Sequence, residues 1–581
     1  MSISTSTIIP KKNVEKVVFI LKISLIFSFS VYLLGNFIPF YESNDSYTLA
    51  SIAIFLSENN FISTNPLLEQ TEHPVFVPGD WFQTIDKKHM FPGGAIFFHY
   101  FVSSLYYVGG NFSLFYFGPV LSIFLLIISD RVATKLFNPY VGLLTLLFLC
   151  TNHIFLRSSV TLGVDIIFSI FFVLGTYYLI QFLKKNNSYE ILLASTFFVL
   201  SSLIRINGVV FFPIELIILS SFFIFNFKNK ILKTKLEKNS KLSNQYFKKI
   251  SLMFIPWIIF FIFWFSYNGI LFDDPFTNYA IEQRGYENTD AKISSLVIIE
   301  EKHFENFKQY SKYLLPYQFP ALEKTIFVEL NSIFGEYWLG IASMILLFFI
   351  LLISFKSKKN RIPFLVFTFL IIGSIWFFAS VTNDEKASQG VVGRYIMPTF
   401  IIFYMILGSF FFDIFKKSSS ISNYKISKLF RFSIVFALGL FFMLSLSFTP
   451  FSEAVKNNNF ELKNPFEYSI GHPPSTNFSS NSIIAAIKTD RVIEYDVIPF
   501  HILTKDGLAT NDSINILKQL LQENKYDIYI FKQPTTSFEK SLLIDLTLNH
   551  NFVLTDYSTV FCKLSLMEES AEKSNPSCLA N

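Results

Sequence analysis

The sequence is short of the things a soluble enzyme carries. Only 16% of its 581 residues are charged, against about 25% in an ordinary globular domain, which excludes a freely soluble cytosolic protein of this size. Three cysteines, Cys150, Cys562 and Cys578, cannot build a disulfide framework; at most Cys562 and Cys578 can pair. No CxxC or HExxH spacing marks a metal site, no glycine-rich loop offers a phosphate cradle, and no repeat of 20 to 50 residues suggests a solenoid. The net charge of +5 is too small and too spread among loops for a nucleic-acid surface.

What the chain has instead is apolar residues, 51% of the total with 74 phenylalanines. AT-rich codon usage accounts for the abundance of Phe, Ile, Lys and Asn more simply than an aromatic binding surface does. The apolar residues come in blocks separated by short charged links, which is the pattern of membrane spans. The expected fold is a polytopic α-helical membrane protein of about eleven transmembrane helices: 17–39, 112–129, 140–156, 162–182, 190–204, 208–227, 251–272, 337–355, 362–380, 395–415 and 432–449. Lys11, Lys12 and Lys16 precede the first span and no small-residue cleavage site follows it, so it reads as a retained anchor.

A twelfth apolar stretch, 93–109, decides the sidedness of everything after it. If it does not cross, the short loops 130–139, 183–189, 228–250, 356–361 and 416–431 face the cytoplasm with 21 Lys or Arg, and the opposite side holds 10 in longer, more acidic loops. The positive-inside rule favours that arrangement. The stretch is therefore expected to be a juxtamembrane or re-entrant helix, its start broken by Pro92, Gly93 and Gly94. The N-terminus is then cytoplasmic and an outer loop with juxtamembrane helices occupies 40–111. Residues 1–450 form the membrane domain and 451–581 a small extracytoplasmic α/β domain. In that tail NSIIAAI and INILKQLLQ have helical spacing, while RVIEYDVIPF, YDIYIFK and FVLTDYSTVFCKLSL are strand-like.

Several groups on the outer side could carry chemistry. Glu42 and Asp45 sit with Tyr47 just after the first span, where a carboxylate can serve as a general base or bind a metal, or can simply cap the next helix. Asp165 lies a few residues into an apolar span, and a carboxylate there is either functional or an interfacial cap. Arg205 lies between two spans, placed to meet an anionic group or to snorkel. Asp273 and Asp274 form a second acidic pair that is equally a turn signal before Pro275. Arg394 and Tyr395 open a late span, where they could clamp a phosphate or act as interface anchors. His73, His89 and His99 do not have ligand spacing as a set; His89 is retained as an accessory candidate.

The order of these features, an acidic motif after span 1, a Pro-Gly juxtamembrane stretch, the Asp165 and Arg205 positions, Asn268 followed by Phe272 and Pro275, and Arg394-Tyr395 with Pro398, resembles the polytopic glycosyltransferases of the GT-C superfamily. Within it the chain is similar to protein O-mannosyltransferases and bacterial aminoarabinose transferases (glycosyltransferase family 39-like), over about residues 15–415. The resemblance implies a donor sugar on polyprenyl or dolichyl phosphate, a protein, lipid or glycan acceptor, and a site on the outer face of a cell membrane or, in a eukaryote, of the endoplasmic reticulum. It implies Asp45 as the catalytic carboxylate, with Tyr47, Asp165, Arg205, Arg394 and Tyr395 near the pocket and 93–109 as a second juxtamembrane helix. Ser46 stands where the family has a second acid and Glu42 lies three residues earlier, so a divalent metal is compatible with the residue types but not specified by them. The class kept as the alternative is a transporter or flippase of a lipid-linked precursor, which normally shows repeated halves and broken helices near the midplane; a receptor or scaffold working through the outer tail is a third.

Overall fold

The structure is a computed structural model. It describes residues 11–35, 96–231, 248–272, 344–349, 361–381 and 396–418, with short segments at 49–50, 52–54, 56–57, 63–64, 82–84 and 89–92. In the C-terminal part it describes 482–486, 498–501, 504–505, 508–509, 511–522, 527–531, 544–547, 549–550, 552–556 and 561–566. The span read at 432–449 and most of that at 337–355 lie outside the described residues.

Helices dominate the first part. They are α1 (Lys11–Gly35), α2 (Ile96–Leu136), α3 (Pro139–Cys150), α4 (His153–Ser159), α5 (Asp165–Lys185), α6 (Ser188–Ile204), α7 (Phe211–Ile231), α8 (Phe254–Phe272), α9 (Arg361–Val381) and α10 (Met397–Ser418). Among the described residues, five stretches are long and apolar enough to cross a membrane: Glu15–Gly35, Phe112–Leu136, Asp165–Lys185, Lys248–Ile270 and Met397–Lys416. Pro139–Cys150, Ser188–Ile204, Gly208–Ile224 and Arg361–Trp376 are shorter apolar helices. Large side chains such as Phe19 and Phe27 of α1 and Ile259 and Ile262 of α8 are exposed on the bare protein. Such outward apolar faces suit hydrocarbon rather than water. The chain is a multi-pass membrane protein.

Within the stretch 93–109, residues 96–109 form the first limb of α2. That limb ends at Gly110, whose φ of 54° and ψ of −150° belong to glycine alone, and a second limb continues to Leu136. From Ile96 to the kink the helix is roughly 20 Å long at 1.5 Å per residue, too short for a hydrocarbon core of about 30 Å.

The span expected at 140–156 is not one helix. Asn138 accepts bonds from the N–H groups of Tyr140 and Val141 at 3.0 and 3.1 Å and starts α3 with Pro139 in its first turn. α3 stops at Cys150. Asn152 then caps a new helix, α4, by accepting from Phe155 N–H at 2.9 Å, and its Nδ2 donates to Tyr404 Oη of α10 at 2.6 Å. The polar side chain wins over helix continuity because it satisfies backbone donors at the break.

The chain divides into two compact units, one collecting 1–38, 115–263 and 293–463 and the other 39–114, 264–292 and 464–581. In the first, α10 is the central element, buried without a break from Met397 to Ser409, with α3, α5 and α9 packed on it. α1 is tied in by a polar cluster: Lys22 Nζ pairs with Asp130 Oδ1 at 2.5 Å and donates to Thr134 Oγ1 at 2.8 Å. Gly142 of α3 faces this cluster, and a Cβ there would run into Asp130 Oδ1.

In the second unit β1 (Ser63–Thr64), β2 (Phe82–Thr84) and β3 (His89–Pro92) make an antiparallel sheet in the order β1-β3-β2. These short strands lie in a region read from sequence as loop. The C-terminal strands are β4 (Ser482–Ala486), β5 (Ile498–His501), β6 (Thr504–Lys505), β7 (Leu508–Ala509), β8 (Asp527–Phe531), β9 (Phe552–Asp556) and β10 (Phe561–Leu566), with α11 (Asn511–Gln522) before β8. Five of them form a mixed sheet in the order β5-β4-β8-β10-β9, with β4 parallel to both β5 and β8. NSIIAAI is thus a strand and not a helix; pairing on both sides suits its apolar run, which sequence periodicity alone does not separate from a buried helical turn. INILKQLLQ is helical as expected, its Ile514, Leu517 and Leu520 buried. Cys562 of β10 is disulfide-bonded, whereas Cys150 is a free, buried thiol.

Candidate functional site

Asp165 lies in the first turn of α5, where the helix dipole favours an anion. Its backbone carbonyl accepts from Ser169 Oγ at 2.7 Å. α5 ends with Lys184, Lys185 and a left-handed Asn186, and Asn187 caps α6, so the two helices run antiparallel through a very short link. That brings the end of α6 back beside the start of α5. Arg205 terminates α6 in an extended conformation, its N–H bonded to Ser201 O at 3.0 Å, and a 3₁₀ turn over Ile206–Val210 follows. Arg205 Nη1 donates to Asp165 Oδ1 in a close ion pair.

The side chains of Asp165 and Arg205 keep 8% and 15% of their exposure, so the pair is largely desolvated yet open to a bound group. Mutual neutralisation is what makes two charges tolerable at this depth. The elements that carry the pair are joined by aromatic packing: the ring of Phe211 lies 4.7 Å from Phe172, 5.5 Å from Phe198 and 5.9 Å from Phe168 between centroids. Ser201 Oγ also donates to Phe168 O at 3.3 Å. The turn itself is tight: a Cβ on Gly208 would stand 2.8 Å from Ser202 Cα. The ion pair with Asp165 orients the guanidinium. A planar fork held by a carboxylate is the geometry that recognises phosphate or carboxylate oxygens.

The opposite ends of the same helices carry other charges. Lys185 Nζ stands 3.5 Å from Glu190 Oε1, and Lys249 Nζ donates to Asn186 O at 2.7 Å. The links 183–190 and 248–250 therefore gather at one end of the bundle and Asp165 and Arg205 at the other.

Of the residues singled out from sequence, the structure brings Asp165 and Arg205 together. His89 stands in β3, in register with Thr64. Glu42, Asp45, Tyr47, Asp273, Asp274, Arg394 and Tyr395 lie outside the described residues. No group of three or more His, Cys, Asp or Glu suited to a metal occurs among the described residues.

Among the described residues, sequence reasoning missed two charged groups buried within apolar helices. One is Lys22 with Asp130; the other is Glu215, fully buried in α7. Both are signalled by a lone charge inside an apolar run, Lys22 in VVFILKISLIF and Glu215 in FFPIELIILSS.

No protein-family model matches the chain, and no curated protein matches it. Among solved structures it is similar to the oligosaccharyltransferase of Archaeoglobus fulgidus in the apo form, at 12% identity and a TM-score of 0.45 over 94% of this chain and 75% of that one. It is similar to the same organism's oligosaccharyltransferase AglB in complex with an inhibitory peptide and a dolichol-phosphate, at 12% identity and 0.44 over 94% and 74%. It is also similar to ArnT from Cupriavidus metallidurans bound to undecaprenyl phosphate, at 9% identity and 0.46 over 94% and 97%.

Proposed function

We propose that this protein is an integral membrane glycosyltransferase that moves a hexosyl or pentosyl unit from a polyprenyl- or dolichyl-phosphate carrier to a hydroxyl on a protein, lipid or glycan acceptor at the outer face of the membrane. The observation that carries the reading is the Asp165–Arg205 pair, a cation oriented by a carboxylate at one end of an apolar bundle. It joins two positions that the GT-C resemblance implies lie near one pocket.

In this reading the acceptor oxygen attacks the anomeric carbon as Asp45 takes its proton. The bond from that carbon to the phosphate oxygen breaks, and the lipid phosphate leaves with the electron pair. The leaving group is already an anion, so it needs a cation and not a general acid. Arg205 supplies that charge together with Arg394, and Asp165 holds Arg205 in place. A single displacement inverts the anomeric centre. The lipid tail of the donor explains why such a site belongs among apolar spans. The disulfide at Cys562 fits an oxidising, extracytoplasmic side for the C-terminal part.

Asp45→Asn tests the assignment. Transfer from a polyprenyl-phosphate sugar is expected to stop while expression and membrane insertion stay normal; ordinary turnover in that variant sinks it. One feature favours a second reading, a lipid-precursor flippase: the broken helix at Thr151 and Asn152, a device transporters use to line sites. Flipping of a labelled polyprenyl diphosphate in liposomes, with no glycosyl product, would select that reading.

A further inference from the structure

The carboxylate of Glu215 is the most enclosed acid of the helical unit among the described residues, with no exposed surface, close to the start of α7. Two neutral groups reach it from two other helices. The Ser195 hydroxyl of α6 lies 2.8 Å from Oε1, and the Trp257 indole N–H of α8 donates to Oε2 at 3.0 Å. The same hydroxyl stands 3.1 Å from Ile191 O in its own helix. Trp257 is itself buried and packs on Phe212 at 5.2 Å and Phe260 at 5.9 Å. A polar group at this depth has no water to fall back on, so these bonds hold the three helices in one arrangement.

The place of the cluster in the chain gives it a more specific role. α6, the 3₁₀ turn and α7 form a hairpin with Arg205 at the beginning of the bend. Ser195 and Glu215, 20 positions apart, lie on the two arms at equal sequence distance from Arg205. Their hydrogen bond is a cross-link between the arms, and Trp257 fastens the cross-link to α8. Sliding either arm along its axis would break the bond and carry Arg205 away from Asp165.

We infer that Glu215 is a positioning residue, which sets the hairpin so that Arg205 faces Asp165 and an incoming phosphate. The phosphate part rests on the function proposed above; the effect on the hairpin does not. Glu215→Gln keeps both contacts, because its carbonyl accepts from Trp257 and its amide donates to Ser195 Oγ, which leaves the Ser195 proton for Ile191 O. Glu215→Leu and Ser195→Ala lose the cross-link.

Hydrogen–deuterium exchange of the full chain in detergent reads the hairpin directly. In Ser195→Ala and Glu215→Leu the amides of 201–210 are expected to exchange about tenfold faster, with 183–190 unchanged; Glu215→Gln is expected to match the wild type. Unchanged exchange over 201–210 in Ser195→Ala overturns the inference. So does an equal gain over 183–190 in that variant, which removes only a hydroxyl and should not unfold the bundle. A separate arm measures binding of undecaprenyl phosphate in micelles by thermal shift. Weakening in Ser195→Ala that Arg205→Met does not deepen supports the positioning role, and fully additive weakening counts against it. If the wild type does not bind undecaprenyl phosphate, the proposed function fails while the exchange experiment still decides the role of Glu215.

Discussion

Arg205 and Asp165 are 40 positions apart in sequence and meet as an ion pair because one helix ends where its antiparallel neighbour begins. The elements that carry the pair are themselves packed together, through Phe211 and its three aromatic partners and through a turn that leaves no room for a Cβ on Gly208. The geometry of the pair is therefore a property of the whole α5–α6–α7 assembly and not of either residue.

Removing one partner should cost more than removing both. Arg205→Met or Asp165→Leu leaves a largely buried charge uncompensated, an effect of about 3 kcal/mol. The double variant Arg205→Met with Asp165→Leu should recover part of that stability while remaining inactive. Thermal unfolding in detergent, alongside a transfer assay, separates the two effects. Arg205→Lys should also lose most activity, since a point charge does not reproduce the planar fork.

The turn offers a second lever on the same pair. Gly208→Val must push against the backbone of Ser202, from which even a Cβ would be 2.8 Å away. Overpacking of this kind costs about 1–3 kcal/mol, and here the displaced segment carries Arg205. A loss of donor affinity larger than the loss of thermal stability is expected, measured as separate changes in KM for donor and acceptor.

Away from the site, Gly142→Ala should destabilise the protein because a Cβ would run into Asp130, Thr134 and Lys22 together. The expected cost is again about 1–3 kcal/mol. Combining it with Lys22→Met and Asp130→Leu should reduce the penalty, since those changes remove the charges whose pairing the new methyl disrupts. Chemical denaturation of Gly142→Ala, of Lys22→Met with Asp130→Leu, and of the triple variant checks the order.

Asn152→Leu removes both the cap of α4 and the bond to Tyr404. A loss of about 2 kcal/mol is expected, whereas Tyr404→Phe, which leaves the cap intact, should cost about 1 kcal/mol. A reversed order in thermal unfolding would show that the break between α3 and α4 is held by something other than Asn152.

Sidedness is testable without any assay of function. A cysteine introduced at Ser240 should react with an impermeant reagent only from the cytoplasm, because loop 228–250 carries eight of the basic residues that set the expected orientation. The buried thiol of Cys150 does not compete. Labelling from outside would reverse the topology and move every candidate site residue to the wrong face.

Some of this molecule is legible in its residues alone. Membrane residence follows from apolar runs too long and too uncharged for water. Asp165 and Arg205 each stand out as a charge in an apolar setting. The strand at NSIIAAI escapes such a reading because five apolar or small residues in a row have no period that favours either structure, and only pairing with β5 and β8 decides it. The break at Asn152 escapes it too, because a single amide barely lowers the hydropathy of a span. The kink that ends the first limb of α2 is foreshadowed only by the pair Gly109 and Gly110 inside an otherwise continuous apolar stretch.

By itself the sequence determined the solvent of this protein, since that depends on summed composition: apolar runs of crossing length and few charges to interrupt them. The basic residues of the short loops add an expected orientation on the same footing. Only the tertiary structure decided which charges meet. Lys22 found Asp130, Asp165 found Arg205, and Glu215 found Ser195 and Trp257, because a charged group in an apolar bundle is costly unless a neighbour pairs with it. Which neighbour is available depends on helix packing, which no local pattern records.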